Sequence, residues 1–193
     1  MRLVLLRHGR TEANERRLYC GASDPRLSPG GRAELEELRT RADYPGIEGL
    51  WRVTSGLRRA DETMQLLFGV DPEARIAGLQ EMNFGRFEMH SYAELREDAD
   101  YQAWICDGSG TVCTPGGESS AQFRKRVCAA ADAIDRDALV ICHGGVIAAL
   151  MARWFPEAKR NLYQWQPGFG LGYVVEMDGG KRRFEPVVIK NDA

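Results

Sequence analysis

Short apolar runs recur along the chain, and amphipathic stretches separate most of them. Runs of strand length fall at Arg2–Leu6, Leu50–Thr54, Ala138–Cys142, Gly172–Met177 and Phe184–Ile189. Four helical patterns lie among them. One begins at Ser28-Pro29, where serine can cap the helix and proline suits its first turn, and Leu35 and Leu38 supply its apolar face. A second starts near Arg59, with Ala60, Met64 and Leu67 on one side. A third follows Pro115-Gly116-Gly117-Glu118-Ser119 and carries Phe123, Val127, Ala130, Ala131 and Ile134 at helical spacing. A fourth follows His143-Gly144-Gly145, with Val146, Ala149 and Leu150 turned inward.

Strand alternating with helix predicts an α/β fold, a three-layer α/β/α sandwich with helices on both faces of the sheet. Asp178-Gly179-Gly180 reads as a hairpin turn between the last two strands, so the sheet is expected to be mixed, mostly parallel with an antiparallel edge. Residues 79–118 hold neither period for long and mix glycine with aromatics, as an excursion over a site would. The chain has 193 residues and shows no internal repeat, low-complexity tract or linker, which predicts a single domain over 1–193.

Composition narrows the partners. A formal net charge of -2 provides no overall field toward nucleic acid or a membrane surface. The five cysteines are odd in number and form no C-x-x-C pair, which argues against a disulfide framework or a zinc site and for a reducing cytoplasm. Leu3-Val4-Leu5-Leu6 is too short for the core of a signal peptide, and no later run has the length of a membrane span. The expectation is a soluble cytoplasmic protein.

The candidate chemistry sits where apolar runs break. Leu3–Leu6 runs into Arg7-His8-Gly9, and Leu139–Cys142 runs into His143-Gly144-Gly145. Two of the three histidines thus occupy equivalent places at strand ends, and parallel neighbouring strands would bring them together at one sheet edge. Either histidine alone reads more readily as a polar loop residue; the repetition, with glycine following each time, favours function. Ser55-Gly56-Leu57-Arg58-Arg59-Ala60 also follows an apolar run and places Arg59 at a helix start, where free N–H groups and the helix dipole favour an anion. Arginine adds a planar fork suited to phosphate oxygens. The rival reading of Arg58 and Arg59 is solvated charge at a helix end.

In order along the chain stand Arg7-His8-Gly9-Arg10-Thr11, Ser55-x-Leu57-x-Arg59-Ala60-x-x-Thr63, Glu81 with Phe84-Gly85-x-Phe87-Glu88, and His143-Gly144. Gly21-x-x-Asp24-x-x-Leu27-Ser28-x-x-Gly31 and Pro115-Gly116-Gly117-Glu118-Ser119 accompany them. Each motif alone is weak, but their order resembles the signature of the histidine phosphatase superfamily, over essentially the whole chain. The resemblance implies a phosphoglycerate mutase-like fold and a metal-independent phosphomonoesterase without cofactor. It casts His8 as the nucleophile that becomes phosphorylated. Arg7, Arg59 and His143 would bind the phosphoryl group, with Asn14 adding a hydrogen bond, and Glu81 would be the proton donor and later the base for water.

The chemistry fits that division. An attacking histidine needs a neutral ring nitrogen, so the other nitrogen should donate to a fixed acceptor such as a loop carbonyl. Arginines and a protonated second histidine would meet the charge on the equatorial oxygens. That protonation requires a compensating carboxylate or the phosphate itself. Arg10 and Arg86 depart from the family pattern; they either extend the positive pocket or lie as surface charges.

Mutases of this superfamily carry a longer insertion after the acid glutamate. Here 143 − 81 = 62 positions separate Glu81 from His143, and a phosphatase is favoured over a mutase. Residues 79–127 resemble the alpha-ribazole-5′-phosphate phosphatases of cobalamin nucleotide-loop assembly. The resemblance rests on Glu81-Met82-x-Phe84-Gly85-x-Phe87-Glu88-Met89, on Glu97-Asp98-Ala99 to Tyr101-x-Ala103-Trp104, and on Gly117-Glu118 before Phe123-x-x-Arg126-Val127. A broad-specificity or sugar-phosphate phosphatase is the close rival, and a phosphate-binding module without turnover is the reading from another class. Tyr92, Tyr101, Trp104 and Phe87 are candidate aromatics for a ring-shaped leaving group, or else packing. The expected partner is a small phosphomonoester, with a homodimer as an allowed assembly and neither nucleic acid nor membrane.

Other motifs offer less. Gly168-Phe169-Gly170-Leu171-Gly172 precedes a strand instead of following one, which argues for a turn near the site and against a dinucleotide loop. His90 has no partner histidine at metal spacing, and no metal site is implied. Cys142 reads as a small buried side chain on the strand that leads to His143.

Overall fold

A computed structural model describes residues 1–190. Among them are six strands, β1 (Arg2–Arg7), β2 (Trp51–Thr54), β3 (Ala74–Arg75), β4 (Ala138–Cys142), β5 (Gly172–Asp178) and β6 (Lys181–Pro186). They form one sheet in the order β3-β2-β4-β1-β5-β6. The pairings β1–β4, β2–β4 and β2–β3 are parallel, and β1–β5 and β5–β6 are antiparallel. The expected mixed sheet is present, with its antiparallel part in the terminal hairpin. Gly179 and Gly180 both hold positive φ there, 54° and 83°, as a tight two-residue hairpin turn requires.

The helices are α1 (Glu12–Glu15), α2 (Pro29–Arg41), α3 (Arg58–Phe68), α4 (Tyr92–Leu95), α5 (Ala99–Ile105), α6 (Ser120–Asp132) and α7 (Gly144–Trp154). Ser28 caps α2 by accepting from the Gly31 N–H, and Ser119 caps α6 by accepting from the Gln122 N–H. The two central strands are buried on both faces, and their alternation divides the interior. Leu3, Leu5, Val140 and Cys142 face a core completed by Phe123, Val127, Val146 and Ile147 of α6 and α7. Val4, Leu6, Leu139 and Ile141 face another, completed by Leu35, Leu38, Ala60 and Met64 of α2 and α3. This is the three-layer α/β/α sandwich, with the sheet in the middle. No helix among the described residues is long and apolar enough to cross a membrane.

Two local expectations are corrected, and one strand carries no sequence signal. The last strand is Lys181–Pro186 and not Phe184–Ile189, because the hairpin turn sets the register from Asp178 opposite Lys181. Beyond it the chain leaves the ladder, and Ile189 bridges to Ala42 at the end of α2. Strand β3 has only two residues, too few to show alternation. Ile134 is buried in the core but lies past the end of α6.

The excursion after β3 contains 3-10 turns at Ala77–Leu79 and Gly85–Phe87, then α4 and α5. It carries its own small core of Phe87, Leu95 and Tyr101, with Tyr19, Phe84 and Trp104 packed against it. Phe87 and Tyr101 are fully buried and Tyr92 is exposed. Phe87 and Tyr101 therefore serve as packing within the excursion.

Candidate active site

Parallel pairing of β1 with β4 sets Arg7 opposite Cys142, so both strands end at the same level. The His8 N–H donates to the Cys142 carbonyl at 2.9 Å, and the His8 and His143 ring centroids lie 5.0 Å apart. The juxtaposition expected from two strand ends is therefore present. Gly9 allows the loop to cross α2 closely, since a Cβ there would sit 2.5 Å from Leu35 Cδ1. Its N–H donates to Thr63 Oγ1 at 2.8 Å, and that hydroxyl donates to the Arg59 carbonyl at 2.6 Å. One side chain thus couples the His8 loop to α3.

His8 Nδ1 lies 2.6 Å from the Gly9 carbonyl. A carbonyl only accepts, so Nδ1 carries the proton and Nε2 keeps its lone pair. Burial, then the charge of Arg59, pushes the pKa of His8 well below the ordinary value, so the ring is neutral near pH 7. His143 Nε2 lies 2.8 Å from Ser55 Oγ. The Leu57 N–H donates to that oxygen at 3.4 Å, so the hydroxyl proton is free to point at Nε2 and leave Nδ1 as an N–H donor. The sequence left open whether His143 is charged. Its ring partner among the described residues is Ser55 and not a carboxylate, and burial, Arg59, His8 and Arg7 all hold it neutral.

Arg7 ends β1. Its Nη1 donates to the Pro167 carbonyl at 3.0 Å, and its guanidinium lies 3.9 Å from the Phe169 ring centroid. Gly144 leaves space for it, since a Cβ there would lie 3.1 Å from Arg7 Cζ. Arg59 is 1% exposed in the first turn of α3. Its Nη1 donates to Ser23 O at 2.7 Å and its Nη2 to Gly21 O at 2.8 Å. Burial lowers the pKa of both guanidiniums, Glu81 opposes this in each, and arginine remains charged regardless. Arg7 Nε, Arg59 Nε and His143 Nδ1 are all buried without a hydrogen-bond partner. Orphaned buried donors are costly, and three of them around a neutral histidine form a site suited to an anion.

Glu81 approaches from the excursion. Its Oε2 accepts from the Gly145 N–H at 2.9 Å and its Oε1 from the Met82 N–H at 3.0 Å. The carboxylate thereby rests on the first turn of α7, directly after His143. Asn14 lies in α1, just beyond the His8 loop. Its Oδ1 accepts from both the N–H and the hydroxyl of Thr11 in a capping box for α1, which leaves its amide NH2 to donate elsewhere.

Three further residues shape the edge of the site. Phe169 stacks beneath Arg7 and sits 5.9 Å from the His8 ring; only its place among glycines hinted at it. Arg10 lies 4.5 Å from the Phe169 ring centroid and pairs with Glu34, so it stands at the edge of the site. Glu88 accepts from the N–H groups of Gly21, Ala22, Ser23 and Phe84, and so holds the carbonyls that hold Arg59. Arg86 pairs with Asp98 and Asp100 on the exposed side of the excursion and does not extend the pocket. His90 is exposed, with Nδ1 against the Glu88 carbonyl, and burial pushes the Cys142 thiol up.

A cavity of about 210 Å³ opens from Arg7 and Glu81 between Phe84, Phe123 and Leu162, with Ser120, Arg124 and Gln166 as its polar members. A larger one, about 650 Å³, lies beside Trp51 and Asp137 at the opposite ends of β2 and β4, away from both histidines.

Residues 3–190 match the profile of the histidine phosphatase superfamily (branch 1). The adenosylcobalamin/alpha-ribazole phosphatase of Salmonella typhimurium is 32% identical over 189 residues, covering 93% of this chain and 92% of its own length. The crystal structure of the alpha-ribazole phosphatase from Shigella flexneri matches with a TM-score of 0.80 at 27% identity, over 100% of this chain and 96% of that one. A phosphoglycerate mutase from Thermus thermophilus matches with a TM-score of 0.75 at 27% identity, over 98% of this chain and 100% of that one.

Proposed function

The chain belongs to the histidine phosphatase superfamily and is a phosphatase, and from that premise we propose that it hydrolyses alpha-ribazole 5′-phosphate through a phosphohistidine on His8. The observation that carries the mechanism is the tautomer of His8. Its Nδ1 proton is held by Gly9 O, which leaves Nε2 with a lone pair for attack, and Arg7 Nε, Arg59 Nε and His143 Nδ1 are buried donors without partners. In the first step Nε2 forms the bond to phosphorus while the bond to the ester oxygen breaks. Protonated Glu81 gives its proton to that oxygen, and the alcohol leaves. Charge spread over the three equatorial oxygens is met by Arg7, Arg59 and the His143 Nδ1 proton. In the second step the Glu81 carboxylate takes a proton from water. The water oxygen bonds to phosphorus, the bond to Nε2 breaks, and inorganic phosphate departs.

Support for the substrate comes from the name of the Salmonella relative and from the cavity beside Glu81. Phe84, Phe123 and Leu162 give that cavity apolar walls suited to a fused ring. Ser120, Arg124 and Gln166 favour the second reading, a sugar-phosphate phosphatase, because they offer hydrogen bonds to hydroxyl groups. Steady-state kinetics on a phosphomonoester panel separates them. The first reading expects kcat/KM for alpha-ribazole 5′-phosphate to exceed that for sugar phosphates by about tenfold or more. The reverse order would support the second.

A further inference from the structure

Glu81 stands on an irregular segment between the 3-10 turns Ala77–Leu79 and Gly85–Phe87. A single side chain from α6 binds the backbone of that segment. Arg126 Nη1 donates to Gly78 O and to Gln80 O, each at 3.0 Å, and Nη2 donates to Glu81 O at 3.2 Å. The same guanidinium pairs with Glu118, through Nε to Oε2 at 3.2 Å and Nη2 to Oε1 at 2.5 Å. Glu118 holds the far side of the segment. Its Oε1 accepts from the Asn83 N–H at 2.9 Å, and its own N–H donates to Asn83 O at 3.1 Å.

We propose that Arg126, aligned by Glu118, is a positioning residue for proton transfer: it fixes the Glu81 peptide and thereby the aim of the carboxyl group at the leaving oxygen. The inference rests on the reading of Glu81 as the acid. Only the planar fork of arginine can serve three carbonyls and a carboxylate at once; a lysine ammonium is a point charge on a flexible stem. Proton transfer in the transition state is sensitive to small misplacements of the donor, so the brace acts on chemistry as well as on folding.

The test uses leaving-group dependence. kcat/KM is measured on p-nitrophenyl phosphate, whose leaving group needs little protonation, and on glycerol 2-phosphate, whose alkoxide needs an acid. Arg126→Met should lose about tenfold or more on glycerol 2-phosphate and less than about threefold on p-nitrophenyl phosphate. Arg126→Lys, which keeps a cation opposite Glu118, should show the same selectivity at smaller size. In a Glu81→Gln background, Arg126→Met should add no further selective loss. Turnover of p-nitrophenyl phosphate reports that each variant is folded. The positioning role is overturned if Arg126→Met and Arg126→Lys lose both substrates equally while Glu81→Gln stays selective. If Glu81→Gln itself loses both equally, the acid assignment fails and the positioning role falls with it.

Discussion

The Gly145 N–H donates to Glu81 Oε2 at 2.9 Å, and a Cβ on Gly145 would lie 2.4 Å from Glu81 Oε1. The residue that holds the carboxylate therefore cannot carry a side chain while the carboxylate stays in place. The obstructed atom is the far end of a flexible side chain, so the fold can yield where the chemistry cannot.

Gly145→Ala follows directly from that contact. Alanine is the better helix former by up to about 1 kcal/mol, so the thermal midpoint should hold or rise. kcat on glycerol 2-phosphate should fall about tenfold or more as Glu81 is displaced. Unchanged kcat with a lowered midpoint would contradict the assignment of this contact to catalysis.

Thr63 links two parts of the site, accepting from Gly9 N and donating to Arg59 O. Thr63→Val keeps the shape and removes both bonds, leaving a buried Gly9 N–H unsatisfied. Urea unfolding should show a loss of about 1–3 kcal/mol. kcat/KM should fall as well, because the His8 loop loses its link to α3. A loss of stability with undiminished kcat/KM would remove Thr63 from the positioning of His8.

His8 and His143 are both held neutral by burial, each with a pKa well below the ordinary 6.5. As pH falls below about 6.5 the unfolded chain takes up protons at these rings and the folded chain does not. Stability should therefore be full above that pH and decline below it, until the folded rings protonate. Each ring contributes up to about 1.4 kcal/mol per pH unit in that window. Urea midpoints from about pH 8 to about pH 5 should show the decline, and His143→Gln should make it shallower. An identical decline in the variant would mean that His143 protonates normally in the folded protein.

Much of this was legible in the sequence, because some signals are local. His8 and His143 follow apolar runs that could only be central strands, and parallel neighbours must end together. Ser28 announced its helix by a cap that lies within three residues of its partner. The family signature brought in Arg7, Arg59 and Glu81. What stayed hidden depends on contacts between distant segments. Glu88 reaches back 65 to 67 positions to residues 21–23, and Arg126 reaches 45 to 48 positions to the Glu81 segment. Neither has a periodicity to betray it. The aromatics of the excursion stayed ambiguous for a related reason: in one dimension a cluster that packs on itself, as Phe87 and Tyr101 do, reads like a cluster that waits for a ring.

The central claim is a covalent phosphoryl group on His8. It is tested most directly by acid-quenching and alkaline-quenching the enzyme during turnover of p-nitrophenyl phosphate and locating bound phosphate by mass spectrometry. Glu81→Gln is the best background, since the first step needs little acid with this ester while hydrolysis of the phosphoenzyme needs the base. The account predicts phosphate on the peptide that contains His8, stable in alkali and lost in acid, and absent from His8→Ala. Sustained turnover with no phosphate on His8, or with phosphate on another residue, would contradict it.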